Sequence, residues 1–488
     1  MPGLSRRDML HASAAAATAA MASPARAAGR DESSPADKVA PPPAVTQILA
    51  RRIAEAKYGD IPAAVRKEAV RALLNWTGCA IGGSHHETID IAVSAISPFA
   101  GPGQASLLGR PQRLDIISAA FVNGVSSHVF DFDDTHLKTI IHPAGPVASA
   151  ILAYSEYAPV SGQDFVNALV LGIETECRLG NAVYPEHYAQ GWHITGTCGV
   201  FGAAAAMGKL LGLDEKRMAH ALGLAATQQT GLKIMFGSMT KSFHPGRAAQ
   251  NGMLAALLAA KGFTSSDRAL EGKDGWGGAV SPKRKWSEVL DDWGTRYETA
   301  LNTYKPFACG IVIHPAIDGI IQLRNGHGLT PDQIAGIKLD VHPLVLSLTG
   351  KTEPQTGLEG KFSVYHAVAV ALTEGKAGEK QFSGRAVRDP ALAALRRKVE
   401  AAADPAIGED QARITVTLKD GRVLKTFVEH ALGSTINPMS DGALAAKFTD
   451  LAEGILPPDR IQRVAGLCWR VEELANAAEI ATAAAGVA

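Results

Sequence analysis

From Val45 to about Lys261 apolar residues recur at three- and four-residue spacing, the period of helices with one buried face. The pattern predicts helices over residues 47–58, 62–81, 115–127, 147–157, 162–182, 196–211 and 214–231. Start signals agree with it. Pro62 suits a first turn, and Asp214 stands where an N-cap belongs, ahead of Glu215-Lys216-Arg217. Runs of small residues, Ala203 to Ala206 and Ala255 to Ala260, let such helices approach closely.

Near Tyr304 the period changes. Ile337 to His342 alternates like a strand. Arg413 to Leu418 and Val423 to Val428 flank Asp420-Gly421, a strong hairpin signal. Between them Asp389-Pro390 opens a helix expected to run to about Ala402. After Asn437-Pro438 the helical period returns over 441–453 and 458–475. The fold class expected is mainly α. A helical domain over 44–305 precedes a smaller α+β unit over 306–437, and helices over 438–478 return to the first domain. The joint between the two units is a natural substrate cleft.

The N-terminus reads differently. Ser5-Arg6-Arg7-Asp8-Met9-Leu10 is a twin-arginine pattern, followed by an Ala-rich run and by Ala25-Arg26-Ala27, a small-x-small cleavage signal. Residues 1–27 are expected to be an export signal directing a folded bacterial protein to the periplasm, an amphipathic helix being the alternative. Residues 28–43, with Pro41-Pro42-Pro43, are expected to be a linker. The apolar run is too short for a membrane anchor, and no later segment offers about 20 uninterrupted apolar residues.

Charge narrows the partners. Lys plus Arg and Asp plus Glu each total 48, so no net charge draws the chain to nucleic acid or anionic membrane. The five cysteines form no CxxC pair, which leaves zinc and iron–sulfur ligation without support. No GxGxxG stands between a strand and a helix, so a Rossmann nucleotide site is not expected.

The candidate chemistry begins at His128-Val129-Phe130-Asp131-Phe132-Asp133-Asp134-Thr135-His136, with His142-Pro143 six residues on. Asp131, Asp133 and Asp134 cannot all ionise freely in one dry site, so the block suits a proton donor or acceptor. Two other readings stand beside it: Asp134-Thr135 as a helix start, and a divalent-ion site using His128 and His136. A second block, Gly191 to Thr197, places His193 before a helix expected to begin near Cys198. A third, Met239 to Arg247, gathers Lys241, His244 and Arg247 into a cationic patch. Lys305 lies in Tyr304 to Gly310, with His314 beyond; Lys361, Ser363, Tyr365 and His366 form a last block. Acids, histidines and cations with no Gly-rich phosphate cradle and no nucleophile elbow suit a small polycarboxylate and proton chemistry next to a carboxylate.

Together, His128-x-x-Asp131-Phe132-Asp133-Asp134-Thr135, His142-Pro143, Trp192-His193-x-Thr195-Gly196, Lys241-x-x-His244-x-Gly246, Lys305 to Gly310 and Lys361-Phe362-Ser363 resemble the MmgE/PrpD family, in order and spacing, across nearly all of residues 45 to 470. That family includes 2-methylcitrate dehydratase, cis-aconitate decarboxylase and an iminodisuccinate epimerase. The resemblance implies a helical domain built from both chain ends, an α+β lid, a homodimer, and an interdomain site that needs neither metal nor cofactor. Carried over by position, its site residues are Asp131, Thr135, His142, His193, Lys241 and Lys305. Three positions depart from the pattern. Gly310 stands where the decarboxylase has a histidine, His366 where a tyrosine is usual (with Tyr365 beside it), and Ala144 where serine follows His-Pro. These departures count against a decarboxylase.

The expectation is therefore a dehydratase-type lyase acting on a hydroxy di- or tricarboxylate. Asp131, His142, Lys241, His244 and His366 are the catalytic candidates, with Asp131 or His142 as base and His244 or His366 as acid. Thr135, His193, Lys305 and Arg247 are the substrate contacts. An epimerase or decarboxylase, and a periplasmic carboxylate-binding protein without catalysis, are the alternatives.

Overall fold

A computed structural model describes residues 43–486. The twin-arginine pattern and nearly all of the expected linker lie outside the described residues. Among the described residues, no helix is long and apolar enough to cross a membrane.

Two hydrophobic cores organise the chain. The first is filled by the helices Ala63–Gly83, Ile116–His128, Ala144–Tyr157, Gly162–Val183, Ile194–Leu210 and Thr240–Ala260, joined by Asp441–Ala452 and Pro458–Trp469 from the far end of the chain. The small residues noted in the sequence do the close packing. Thr240–Ala260 lies against Ile194–Leu210 and against Ile116–His128. Where it meets the latter, a Cβ on Gly124 would sit 2.6 Å from the Cα of Gly246. That crossing lies four residues before His128 and five after Lys241, so it brings the end of one helix beside the first turn of the other.

The second core lies under a four-stranded sheet in the order Val399–Ala403, Ile334–Val341, Ala412–Leu418, Val423–Val428. The first pair is parallel and the others antiparallel. Ala412–Leu418 alternates buried and exposed positions, as its sequence does, and the expected turn is made at Gly421 with φ +89°. The helices His314–His327 and Val364–Glu374 pack with this core.

Several boundaries differ from the sequence reading. The helix opening at Asp389-Pro390 stops at Arg396, and residues 399–403 become a strand. Three alanines there favour helix, but parallel pairing of Val399 with Ile337 prevails, as tertiary pairing overrides weak local propensity. The helix expected over 214–231 ends at Ala226, and that over 458–475 at Trp469. The helix expected near Cys198 begins at Ile194. Asp134-Thr135 starts no helix. It forms the strand Asp134–His136, antiparallel to Asn302–Tyr304, with Thr135 opposite Thr303. This small ladder delivers Lys305 to the acidic block.

Candidate active site

The helix Ile116–His128 ends at the acidic block, and Asp131 turns the chain with φ +51°, a left-handed conformation that Asp tolerates better than most residues. The turn is closed by the Asp131 N–H donating to the His128 carbonyl at 2.9 Å. It aims the carboxylate between two ammonium groups. Lys241 Nζ donates to Asp131 Oδ1 at 2.8 Å and Lys305 Nζ at 2.7 Å. Lys305 also reaches the Asp131 carbonyl at 2.9 Å, and Lys241 reaches His128 Nε2 at 3.1 Å. All three residues are at most 6 % exposed. Burial alone would raise the Asp131 carboxyl, but the two cations outweigh it and hold it well below the usual carboxylate range. An anion so stabilised is a weak base.

His142 is arranged differently. Its Nδ1 lies 2.8 Å from the Asp134 carbonyl oxygen, which can only accept, so Nδ1 carries the proton and Nε2 the lone pair. Nε2 sits 4.0 Å from Asp131 Oδ1, on the cavity wall. Burial, aided by the nearby lysines, keeps this imidazole well below its ordinary pKa and therefore neutral. The His142 N–H donates to Thr195 Oγ1 at 3.1 Å. His128 is pinned in the same tautomer. Asp133 Oδ2 takes its Nδ1–H at 2.7 Å, and Lys241 occupies its Nε2. His193 and His244 face each other through Nδ1 at 2.8 Å, so one donates and the other accepts. Both are held low by burial first, His244 at about 4.

Asp131, His142, His193, Lys241 and Lys305 line one cavity, closed on the second-lobe side by Gly310 and Phe362. Phe236 and Phe362 flank Lys241 Nζ, their ring centres 5.3 and 5.4 Å away. The space measures about 30 Å³, room for roughly two waters.

The MmgE/PrpD N-terminal domain matches residues 47–289 of this chain, and the MmgE/PrpD C-terminal domain matches residues 307–471. The chain belongs to the MmgE/PrpD family. It is 28% identical to cis-aconitate decarboxylase of Aspergillus terreus, covering 86% of this chain and 91% of the relative. It is also 28% identical to the Homo sapiens cis-aconitate decarboxylase, covering 90% and 94%. To 2-methylcitrate dehydratase of Cupriavidus necator it is 24% identical over 68% of this chain and 74% of the relative. As a member of this family the protein is a lyase.

Against the MmgE/PrpD pattern, the structure assembles some of the expected residues and separates others. Thr135 is buried behind His142, its Oγ1 3.3 Å from Nδ1, and makes a wall of the histidine rather than of the cavity. His244 likewise stands behind His193. Arg247 is a correction. It points outward from the helix Thr240–Ala260, exposed, and bonds Gln250 at 2.5 Å. Three residues after His244, it falls on the helix's solvent side. His366 is a second correction. It is buried beside the second core, with Nε2 3.0 Å from the Gln381 carbonyl oxygen and its ring against Phe382. Lys361 bonds the Ala308 carbonyl at 2.9 Å and pairs with Glu379. His136 is tied to Glu298 at 3.0 Å and to Thr139 at 2.7 Å.

Lys447 is the residue sequence reasoning missed. From the helix Asp441–Ala452 its Nζ donates to the Phe132 carbonyl at 2.5 Å and to that of Lys305 at 2.9 Å, clamping the two loops that carry Asp131 and Lys305. Burial pulls its pKa down to about 8. Its neighbours, Ala446 and Phe448, carry no motif, so no local signal marked it.

His128, Asp131, Asp133 and His142 each offer a ligand atom within 4.8 Å of the others, close enough for a divalent ion to bridge. Two ammonium groups bonded to Asp131 oppose a cation there, and His128 has both ring nitrogens engaged. The donor set therefore fits a metal poorly.

Asp134 supports the site from behind. Its Oδ2 accepts from Asn302 Nδ2 at 2.7 Å and from the Ala144 N–H at 3.1 Å, while Oδ1 has no partner. Burial, then the Asp133 carboxylate, push it up to about 7. A carboxyl raised on folding stabilises the fold while protonated. Its contribution is complete below pH 3.8 and is lost as pH rises through about 7. Asp134→Asn mimics the protonated form. Urea unfolding at pH 5.5 and 8.5 is expected to show wild type losing stability relative to the variant, by up to about 1.4 kcal/mol per pH unit within that window. A constant difference across the two pH values would show that Asp134 does not titrate there.

Proposed function

We propose that this enzyme is a hydro-lyase that removes water from a small hydroxy tricarboxylate, in the manner of a 2-methylcitrate dehydratase. The observation that carries the reading is the pairing of a neutral His142, its Nε2 lone pair open to a dry cavity, with two ammonium groups that each keep a donor in reserve. An ammonium has three N–H donors. Lys241 uses two on Asp131 and His128, and Lys305 uses two on Asp131, so one remains on each, on Lys305 for a substrate carboxylate and on Lys241 for the departing hydroxyl.

The steps follow from those positions. His142 Nε2 takes the proton from the carbon next to a carboxylate. Lys305 holds that carboxylate while negative charge spreads onto it, which is where fixed positive charge lowers a barrier. The carbon–oxygen bond to the hydroxyl breaks, and the departing oxygen takes a proton from Lys241, whose ammonium burial already disfavours. The proton on His142 then returns through solvent to the Lys241 amine, restoring both groups. Asp131 holds the two lysines at one point and supplies no proton.

Decarboxylation of an unsaturated tricarboxylate is the second reading, favoured by the fuller coverage of the cis-aconitate decarboxylases. Gly310 argues against it, since a Cβ there already meets Thr349 Cγ2 at 3.0 Å and a histidine needs more room. Proton NMR in deuterated buffer separates the readings. Loss of the CH signal beside the methyl group of 2-methylcitrate, with its methyl doublet collapsing to a singlet, is the expected result. Loss of carbon dioxide from cis-aconitate would favour the second reading. Thermal stabilisation by these acids with no product would make the protein a binder instead.

A further inference from the structure

A second space adjoins the reaction cavity. It measures about 290 Å³, against about 30 Å³ for the inner one, and the two share Ile140, Ile311 and Val312 as walls. Leu137, Pro315, Ala431 and Leu432 extend its apolar side, while the polar residues include Lys138, Glu409 and Asp410. His314 is buried there. Neither of its ring nitrogens makes a hydrogen bond of good geometry, and its ring packs edge-on to Phe307 at 5.2 Å. Burial holds it neutral, and its only polar tie is a weak one to the Cys309 backbone.

Charge at the rim says what this chamber does not take. Lys138 is engaged by Glu288 at 3.0 Å, while Glu409 and Asp410 present carboxylates. An acidic rim whose one lysine is already paired repels a further substrate carboxylate. The division between the two spaces is itself unusual. Ile140 has φ +61°, a costly conformation for a β-branched residue, fixed by its N–H donating to the His136 carbonyl at 2.8 Å. That strain places an isoleucine side chain between the chambers. The outer wall is firm too. Leu432 N–H donates to Asp318 at 2.9 Å and Gly433 N–H to the Asn437 carbonyl at 2.8 Å.

We infer that the substrate is a polycarboxylate bearing an alkyl arm longer than methyl, with its reacting carbons at His142 and Lys305 and its arm reaching past Ile140 into the outer chamber. The inference rests on the polycarboxylate-lyase reading above and names the substrate class within it. A chamber lined by Leu432, Ile311 and Val312 rewards each methylene it removes from water, at about a four-fold gain in affinity per methylene.

The test uses the full-length protein with citrate and with citrates carrying methyl, propyl and pentyl arms. We expect kcat/KM to rise with arm length, by about four-fold per methylene that enters. Leu432→Asp and Thr435→Trp alter the chamber at exposed positions, and each is expected to lower the pentyl value at least ten-fold while leaving the methyl value within two-fold. Turnover of citrate or methylcitrate that stays flat or falls with arm length overturns the chamber assignment and leaves the reaction standing. If no member turns over, the reaction reading fails. Thermal stabilisation by the same series then decides the chamber alone: stabilisation growing with arm length supports it, and equal stabilisation refutes it.

Discussion

His142→Asn is expected to lower kcat by roughly 10²- to 10⁴-fold with little change in stability. The variant isolates the base. An asparagine Nδ2–H can replace the imidazole Nδ1–H that donates to the Asp134 carbonyl, so the local anchor survives, while nothing replaces the Nε2 lone pair. Steady-state kinetics give the magnitude, and substrate exchange in deuterated buffer identifies the step. If His142 abstracts the proton, exchange at the carbon next to the carboxylate disappears along with turnover. Exchange that persists while elimination is lost would move His142 to the acid role. Turnover within ten-fold of wild type would remove it from the chemistry altogether. The pH profile carries a second expectation. Burial holds His142 well below its ordinary 6.5, so the acid limb of kcat/KM due to this base lies well below that value.

Asp131→Asn is expected to destabilise the protein by about 3–5 kcal/mol, because it removes the only carboxylate that both Lys241 Nζ and Lys305 Nζ contact among the described residues. Two buried ammonium groups then face each other with only the more distant Asp133 carboxylate to balance them. Activity falls as well, since the lysines lose the point that aims their remaining donors. The pH dependence has a definite sign. Asp131 is depressed in the folded state, so its stabilisation is present above the unfolded value of 3.8 and is lost as pH falls through the lower folded one. The stability difference between wild type and Asp131→Asn is therefore full at pH 7 and shrinks below about pH 4. Denaturant unfolding at both pH values measures it. Adding Lys305→Met to Asp131→Asn is expected to restore part of the stability and none of the activity. Equal stability of wild type and Asp131→Asn at pH 7 would mean that the lysines find other partners, and the charge balance drawn above would be wrong.

The site was unevenly legible from sequence. Asp131, His142, His193, Lys241 and Lys305 stand in dense polar blocks within apolar surroundings, and burial of such groups demands partners, so their types alone marked them. Arg247 and His366 stood in equally suggestive blocks and do not reach the cavity. Arg247 projects from the exposed face of a helix whose other faces are packed, and His366 faces the core of the second lobe. A motif fixes spacing along the chain but not the direction in which each side chain leaves it. Lys447 shows the converse case. It sits 142 residues from Lys305 in sequence, and only the return of the C-terminal helices places it over the two loops.

By itself, the sequence determined the local periods, the change of period near Tyr304, the hairpin at Asp420-Gly421 and the identity of most groups in the cavity. These follow from patterns that span a few residues and need no distant partner. Only the tertiary structure decided which carboxylate is locked as an anion and which imidazole is left as a base. It also decided that residues 399–403 pair as a strand and that Ile140 stands between two chambers. Each of those outcomes depends on groups far apart in the chain meeting in a dry interior. There, burial and a charge a few ångströms away set the protonation state, and a remote strand supplies the hydrogen bonds that local propensity does not.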